Sequence, residues 1–287
     1  MPAFTTRWFR IFGPAYATAF DSAGFEYFSR ERYNYFYPGY TSNRGYQGAI
    51  AMLFEQGSTR GLAGERGDGT VRTLADALEQ QYLAAWTAVR VASGQRERLL
   101  TEYYESQAST IADGTRGVRR YLIPDTGDRT LVRELVDLLR RNDIEVGVLT
   151  AEARLQGVTD RSGGSVAQRA FPAGTYVIEA SQPSGRLIRA LLDPQVPMPP
   201  EFLTQARAFV ERDENPRFYD ITGWSLPLLF NVEAYGATDA RPVTTGALPE
   251  AWTPPPVTRA GYAYLVDGSA TGAAAIGARL KLMGHRA

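Results

Sequence analysis

Apolar side chains along this chain switch between two periods, and the switches mark out the expected elements. The first hundred residues are rich in Tyr and Phe, and residues 12–28 read as a helix that turns at Gly24. An aromatic, glycine-punctuated loop follows over residues 33–48. Next comes a short apolar run, residues 49–54, which ends on Glu55 and fits a buried strand. After a polar, Gly-rich stretch over residues 57–69, Leu74, Leu78, Tyr82, Trp86 and Val89 recur every three or four residues. That spacing predicts an amphipathic helix, with Thr73 or Asp68 placed to cap it. A second, more polar helix over residues 96–112 is expected to bridge two domains.

The pattern changes from Val118 onward. Residues 118–123 read as a strand, Asp125 to Asp128 as a turn, and residues 144–149 as a second strand. Between them Leu131, Leu135, Leu138 and Leu139 give a helix one apolar face. Strand, helix and strand within 32 residues are expected to form a parallel, right-handed βαβ unit. The turn Phe171-Pro172-Ala173-Gly174 leads into a third strand over residues 175–180. Short helices follow over residues 185–192 and 200–212, then a helix or strand with Trp224 and Leu226. Residues 237–257 hold five Pro and few large aliphatics, which reads as a linker. Residues 261–266 read as a strand and 272–283 as a small-residue helix. Such a pair must pack back on the preceding domain or belong to one that continues.

Composition narrows the chemistry. The chain has 287 residues, ordinary globular composition and a formal net charge of zero, so it lacks the basic footprint that nucleic acid requires. Arg supplies all the basic residues except Lys281. Without Cys, disulfides, thiolate metal sites and cysteine nucleophiles are excluded. The single His, His285, lies at the end of the sequence, outside any motif, and is expected to be exposed and inert. Zinc enzymes draw most of their ligands from His or Cys, and a Ser-His-Asp triad needs a His held by its neighbours. No apolar run is long enough to span a membrane, and the first twenty residues do not read as a signal peptide.

Four segments carry a more specific signal. Phe36-Tyr37-Pro38-Gly39-Tyr40 precedes Gly48-Ala49-Ile50-Ala51-Met52-Leu53-Phe54-Glu55-Gln56. Downstream stand Phe171-Pro172-Ala173-Gly174-Thr175-Tyr176 and the run from Arg217 to Leu228, RFYDITGWSLPL. In this order the segments resemble zinc carboxypeptidases of the carboxypeptidase A type, and the later two resemble the C-terminal extension of large bacterial members. The resemblance implies that Glu55 is the general base, which takes a proton from the attacking water and returns it to the leaving amine. It also implies a substrate-loop tyrosine, for which Tyr37 and Tyr40 match equally. Arg60 is a candidate partner for a substrate carboxylate. The Asp125-Thr126-Gly127-Asp128 turn could suggest a phosphate or metal loop, but a helix cap is the simpler reading.

The same resemblance exposes a departure. The family's zinc ligands are a His-x-x-Glu pair and a later His, all upstream of the tyrosine loop, and none is present here. The expected fold is therefore α/β: the C-terminal part of a carboxypeptidase-like α/β/α domain over residues 1–95, then a connecting helix over 96–116. An α/β extension over 117–235 resembles the class I glutamine amidotransferase fold. A Pro-rich linker over 236–259 and an incomplete α/β element over 260–287 complete the expectation. The function implied is a fragment of a zinc metallocarboxypeptidase, inactive as this chain. Zinc and a peptide substrate belong to the complete enzyme, which the resemblance suggests is exported or periplasmic. The alternatives are a non-catalytic peptide- or glycan-binding protein using the aromatic loop 33–46, and a glycosidase. A glycosidase needs a second carboxylate, for which Glu26, Glu31 and Glu65 are the nearby candidates.

Overall fold

An aromatic helix opens the molecule. In a computed structural model that describes residues 3–27, 44–57, 59, 61–195, 200–212, 225–248, 257–268 and 270–285, helix α1 spans Ala3–Ala23. Phe4, Trp8, Phe12, Tyr16 and Phe20 recur every fourth residue and are all buried. Their rings follow one another at centroid separations of 6.0 to 6.4 Å. The helix starts earlier than the sequence pattern indicates. It also ends earlier, at Ala23, because the turn expected at Gly24 stops it: Gly24 has φ 68°, in the left-handed region that glycine enters without a Cβ penalty.

The chain divides into two units, Met1–Thr110 with Pro197–Thr222, and Ile111–Val196 with Gly223–Ala287. In the first, a short antiparallel hairpin pairs β1 (Ala63–Glu65) with β2 (Val71–Thr73). Helix α2 (Leu74–Gly94) then starts on a reciprocal cap. The Thr73 hydroxyl accepts from the Asp76 N–H, and the Asp76 carboxylate accepts from the Thr73 N–H at 2.7 Å. Helix α3 (Arg96–Asp113) follows almost directly. The core of this unit is the α1 aromatic ladder with Ala84, and Leu83, Ala88, Val91, Ala92 and Leu99 are packed against it. The Trp8 indole N–H donates to Glu102, which also pairs with Arg98. Helix α6 (Pro200–Glu211) belongs to the same unit.

The second unit is built on a seven-stranded sheet in the order β6-β5-β8-β3-β7-β4-β9. Its strands are β3 (Arg120–Ile123), β4 (Gly147–Leu149), β5 (Ala153–Asp160), β6 (Ser165–Phe171), β7 (Tyr176–Glu179), β8 (Tyr235–Ala237) and β9 (Thr245–Gly246). Every neighbouring pair is antiparallel. This corrects the expectation of a simple parallel βαβ unit. β3 and β4 do run the same way across helix α4 (Arg129–Arg141), but β7 inserts between them and pairs antiparallel with both. One sheet face collects Leu122, Leu149, Leu155, Val158, Phe171, Val177, Tyr235 and Ala237 into a core. Tyr121 and Ile123 point to the other face by strand alternation and are also buried. Buried stripes on α4 (Val132, Leu135, Val136, Leu139) and on α5 (Gly185–Leu192: Leu187, Ile188, Leu191, Leu192) complete the unit's interior.

Two sequence expectations fail here for identifiable reasons. The stretch read as a linker from residue 237 contributes the end of β8 and the whole of β9. It is held by Asp239, whose carboxylate accepts from the Gln156 N–H at 2.8 Å and from the Arg241 guanidinium and N–H. Residues 261–266 form no strand, and Tyr262 and Leu265 are fully exposed, because no neighbouring strand among the described residues offers them a ladder. Helix α8 (Ala273–Leu282) forms as expected, without a buried residue. It is preceded by Thr271, whose N–H and hydroxyl both donate to Asp128 at 2.7 Å. Asp128 is thus the N-cap of α4, accepting from the Thr130 and Leu131 N–H groups, and also the anchor of this distant segment. The helix or strand expected around Leu226 is the short helix α7 (Leu226–Leu229).

Candidate functional site

Glu55 is positioned from below by glycine and glutamine. Gly48 enters the segment at φ 94°, and a Cβ there would lie 2.8 Å from the Gln107 side chain and 2.9 Å from the Tyr103 ring, so only glycine fits the crossing. Gln107 donates to the Gln47 carbonyl at 2.7 Å and fixes that approach to α3. Beyond it Ile50, Met52 and Phe54 pack against the α1 core, at every second residue. The Phe54 ring sits edge-on to Tyr16 at 4.6 Å and to Phe20 at 5.9 Å. Gln56 then donates to the Ala77 carbonyl at 3.1 Å and to Gln80 at 3.2 Å, tying the far end to α2.

The expected strand over residues 49–54 is not formed. The segment is irregular, because among the described residues no neighbouring strand supplies it with ladder hydrogen bonds. Its two-residue alternation survives, since side-chain packing alone imposes it: Phe54 faces the core, while Leu53 and Glu55 are exposed. Tyr37, Tyr40 and Arg60, and most of the aromatic loop 33–46, lie outside the described residues. No group of three or more His, Cys, Asp or Glu side chains that could hold a metal occurs among the described residues. His285 is exposed beyond the end of α8. The donor set therefore does not fit a zinc site of the His-x-x-Glu and His kind.

Sequence reasoning did not identify a second polar cluster, in the sheet unit. The buried Tyr121 hydroxyl donates to Asp193. Burial pushes both groups up, the Tyr121 phenol above its ordinary range and the Asp193 carboxyl above the usual carboxylate range. Arg189 braces this corner by donating at 2.9 Å to the carbonyls of Arg116 and Val118. The pair borders a cavity of about 70 Å³ lined by Val118, Tyr121, Asp160, Arg161, Asp193 and Tyr235. That volume takes a few water molecules, not a peptide residue. No sequence signal links Tyr121 to Asp193, which are 72 residues apart.

The fold and the site together define a mixed α/β protein whose second unit is a wholly antiparallel seven-stranded sheet. No protein-family model, no curated protein and no solved structure matches the chain.

Proposed function

We propose that this chain carries the general-base segment of a carboxypeptidase A-type peptidase and is catalytically incomplete by itself. The observation that supports the reading is the arrangement around Glu55. A run packed through Ile50, Met52 and Phe54 on one side and hydrogen-bonded through Gln56 at its end carries the exposed Glu55 side chain on the opposite side. A general base needs that combination of fixed position and access. The finer architecture goes with this reading: residues 1–95 stand for the C-terminal part of the peptidase domain. The following unit stands for the extension, whose likeness to the class I glutamine amidotransferase fold rests on the sequence motifs. Glu55 supplies the base, Tyr37 or Tyr40 the substrate-loop tyrosine, and Arg60 a substrate carboxylate contact. Peptides are the substrate class of the completed enzyme. Its zinc ligands are not among these 287 residues.

The reading is tested by metal analysis and peptidase assay in parallel. The purified chain, dialysed after incubation with zinc, should hold no stoichiometric metal and should not release C-terminal residues from peptides. Joining upstream a carboxypeptidase segment that bears His-x-x-Glu and the later His should give both zinc binding and release. One tightly held zinc per chain without the added segment would contradict the proposal, as would zinc binding without activity after joining.

A further inference from the structure

Helix α2 is amphipathic in an unusual sense: its two faces are both apolar. The inward face is built from small and aliphatic residues, with Ala84 and Thr87 buried and Leu83, Ala88, Val91 and Ala92 packed on the α1 core. The larger side chains are on the other side. Leu74, Leu78, Tyr82, Trp86 and Val89 are exposed by 41, 62, 68, 48 and 57%. At roughly 100° per residue these five cover a continuous band about 120° wide. Scattered single apolar residues on a surface need no explanation, but a continuous stripe of this kind marks a contact surface.

The order of residues along the stripe identifies its occupant. Leu78 and Val89, Tyr82 and Trp86, and Glu79 and Arg90 are each centred within half a residue of position 84. Glu79 and Arg90 are exposed and fall on the same edge of the stripe, roughly 20° apart on the helix. Among the described residues neither forms an ion pair. When two antiparallel helices meet about a twofold axis, each edge faces the same edge of the other helix. An axis near Ala84 therefore sets Leu78 opposite the second copy's Val89 and Tyr82 opposite the second copy's Trp86. It also brings Glu79 to the second copy's Arg90, and the reverse pair forms by symmetry. Ala75 and Ala85 are exposed within the band and let the backbones approach. Five large side chains at about half exposure present on the order of 500 Å² per copy. A pair would bury on the order of 1,000 Å², the lower bound of a specific interface.

We infer that the exposed face of α2 is a self-complementary interface through which two copies of this chain pair antiparallel. The test uses the full 287-residue chain. Sedimentation equilibrium at micromolar concentration should give twice the 31.6 kDa chain mass. Glu79→Arg and Arg90→Glu, each alone, replace two attractive pairs by two repulsive ones and should weaken dimerisation about tenfold, with helical circular dichroism unchanged. The double variant should restore the dimer. Mixing the two single variants should give a heterodimer in preference to either homodimer, because each then meets its opposite charge. A monomer at all concentrations would overturn the inference and assign the face to a different polypeptide. A dimer indifferent to these charge reversals, or single variants that do not prefer each other on mixing, would overturn it equally.

Discussion

Asp239 shows what a single side chain does in a segment whose composition suggests no structure. Its carboxylate accepts from two backbone N–H groups and the Arg241 guanidinium, and Arg241 in turn donates to the Arg154 carbonyl at 2.9 Å. Those contacts fasten the chain after β8 to β5. The Arg241 guanidinium, helped by the two backbone donors, holds the Asp239 carboxyl well below the usual carboxylate range. A depressed carboxyl contributes stability above the unfolded value, about pH 4, and loses it as pH falls toward the folded value. Asp239→Asn should therefore cost about 2 kcal/mol at pH 7, since an amide cannot accept from all these donors. The gap to the wild type should narrow below about pH 4. Asp193, raised by burial, acts in the opposite sense in both proteins, so each comparison is made at one pH. Urea unfolding at pH 7 and pH 3 measures both arms, and equal midpoints at pH 7 would show that the lock carries no stability.

Elements are legible in the sequence wherever a local signal sets them. Of the two cap candidates Thr73 and Asp68, Thr73 starts α2; Asp128 starts α4; and Gly24, read as a turn within a longer helix, lies just past the end of α1. Thr73→Ala removes one half of the reciprocal cap and should destabilise the protein by about 1 kcal/mol, whereas Thr73→Ser should cost much less. Thermal denaturation compares the two, and identical melting temperatures for the Ala and Ser variants would show that the cap is not needed. Non-local pairing is not legible. The β5–β6 hairpin, turning at Arg161 to Gly164, carries no strand pattern although it is the longest in the sheet. Its strands mix Arg, Gln and Thr with few aliphatics, and only their partners make them strands. Residues 49–54 depart in the other direction: their apolar run looks like a strand, but packing on α1 without a ladder satisfies it. On α2, the stripe that marks the helix is its exposed face, because period shows that a face exists and not which side the core lies on.

At the scale of the whole molecule, the functional reading proposed above rests on motif order, and composition limits it. One His and no Cys restrict the metal chemistry more firmly than any local structure does. The described part of the candidate site is Glu55, singled out by the resemblance of its segment and not by periodicity, since residues 49–54 are apolar throughout. The tyrosines expected beside it lie outside the described residues. The Tyr121–Asp193 pair is invisible in the sequence because its partners come together only through the sheet. Among the described residues no helix is long and apolar enough to cross a membrane.

The general-base role proposed for Glu55 is tested most directly by kcat of the completed enzyme, with a zinc-ligand segment joined upstream, compared with and without the Glu55→Gln substitution. The amide keeps the shape of the side chain but cannot take up the proton. If Glu55 is the general base, kcat should fall by about 10²- to 10⁴-fold on substitution, with KM and zinc content little changed. A completed enzyme whose kcat is the same with Glu55 intact and with Glu55→Gln in place would contradict that role and put the base elsewhere.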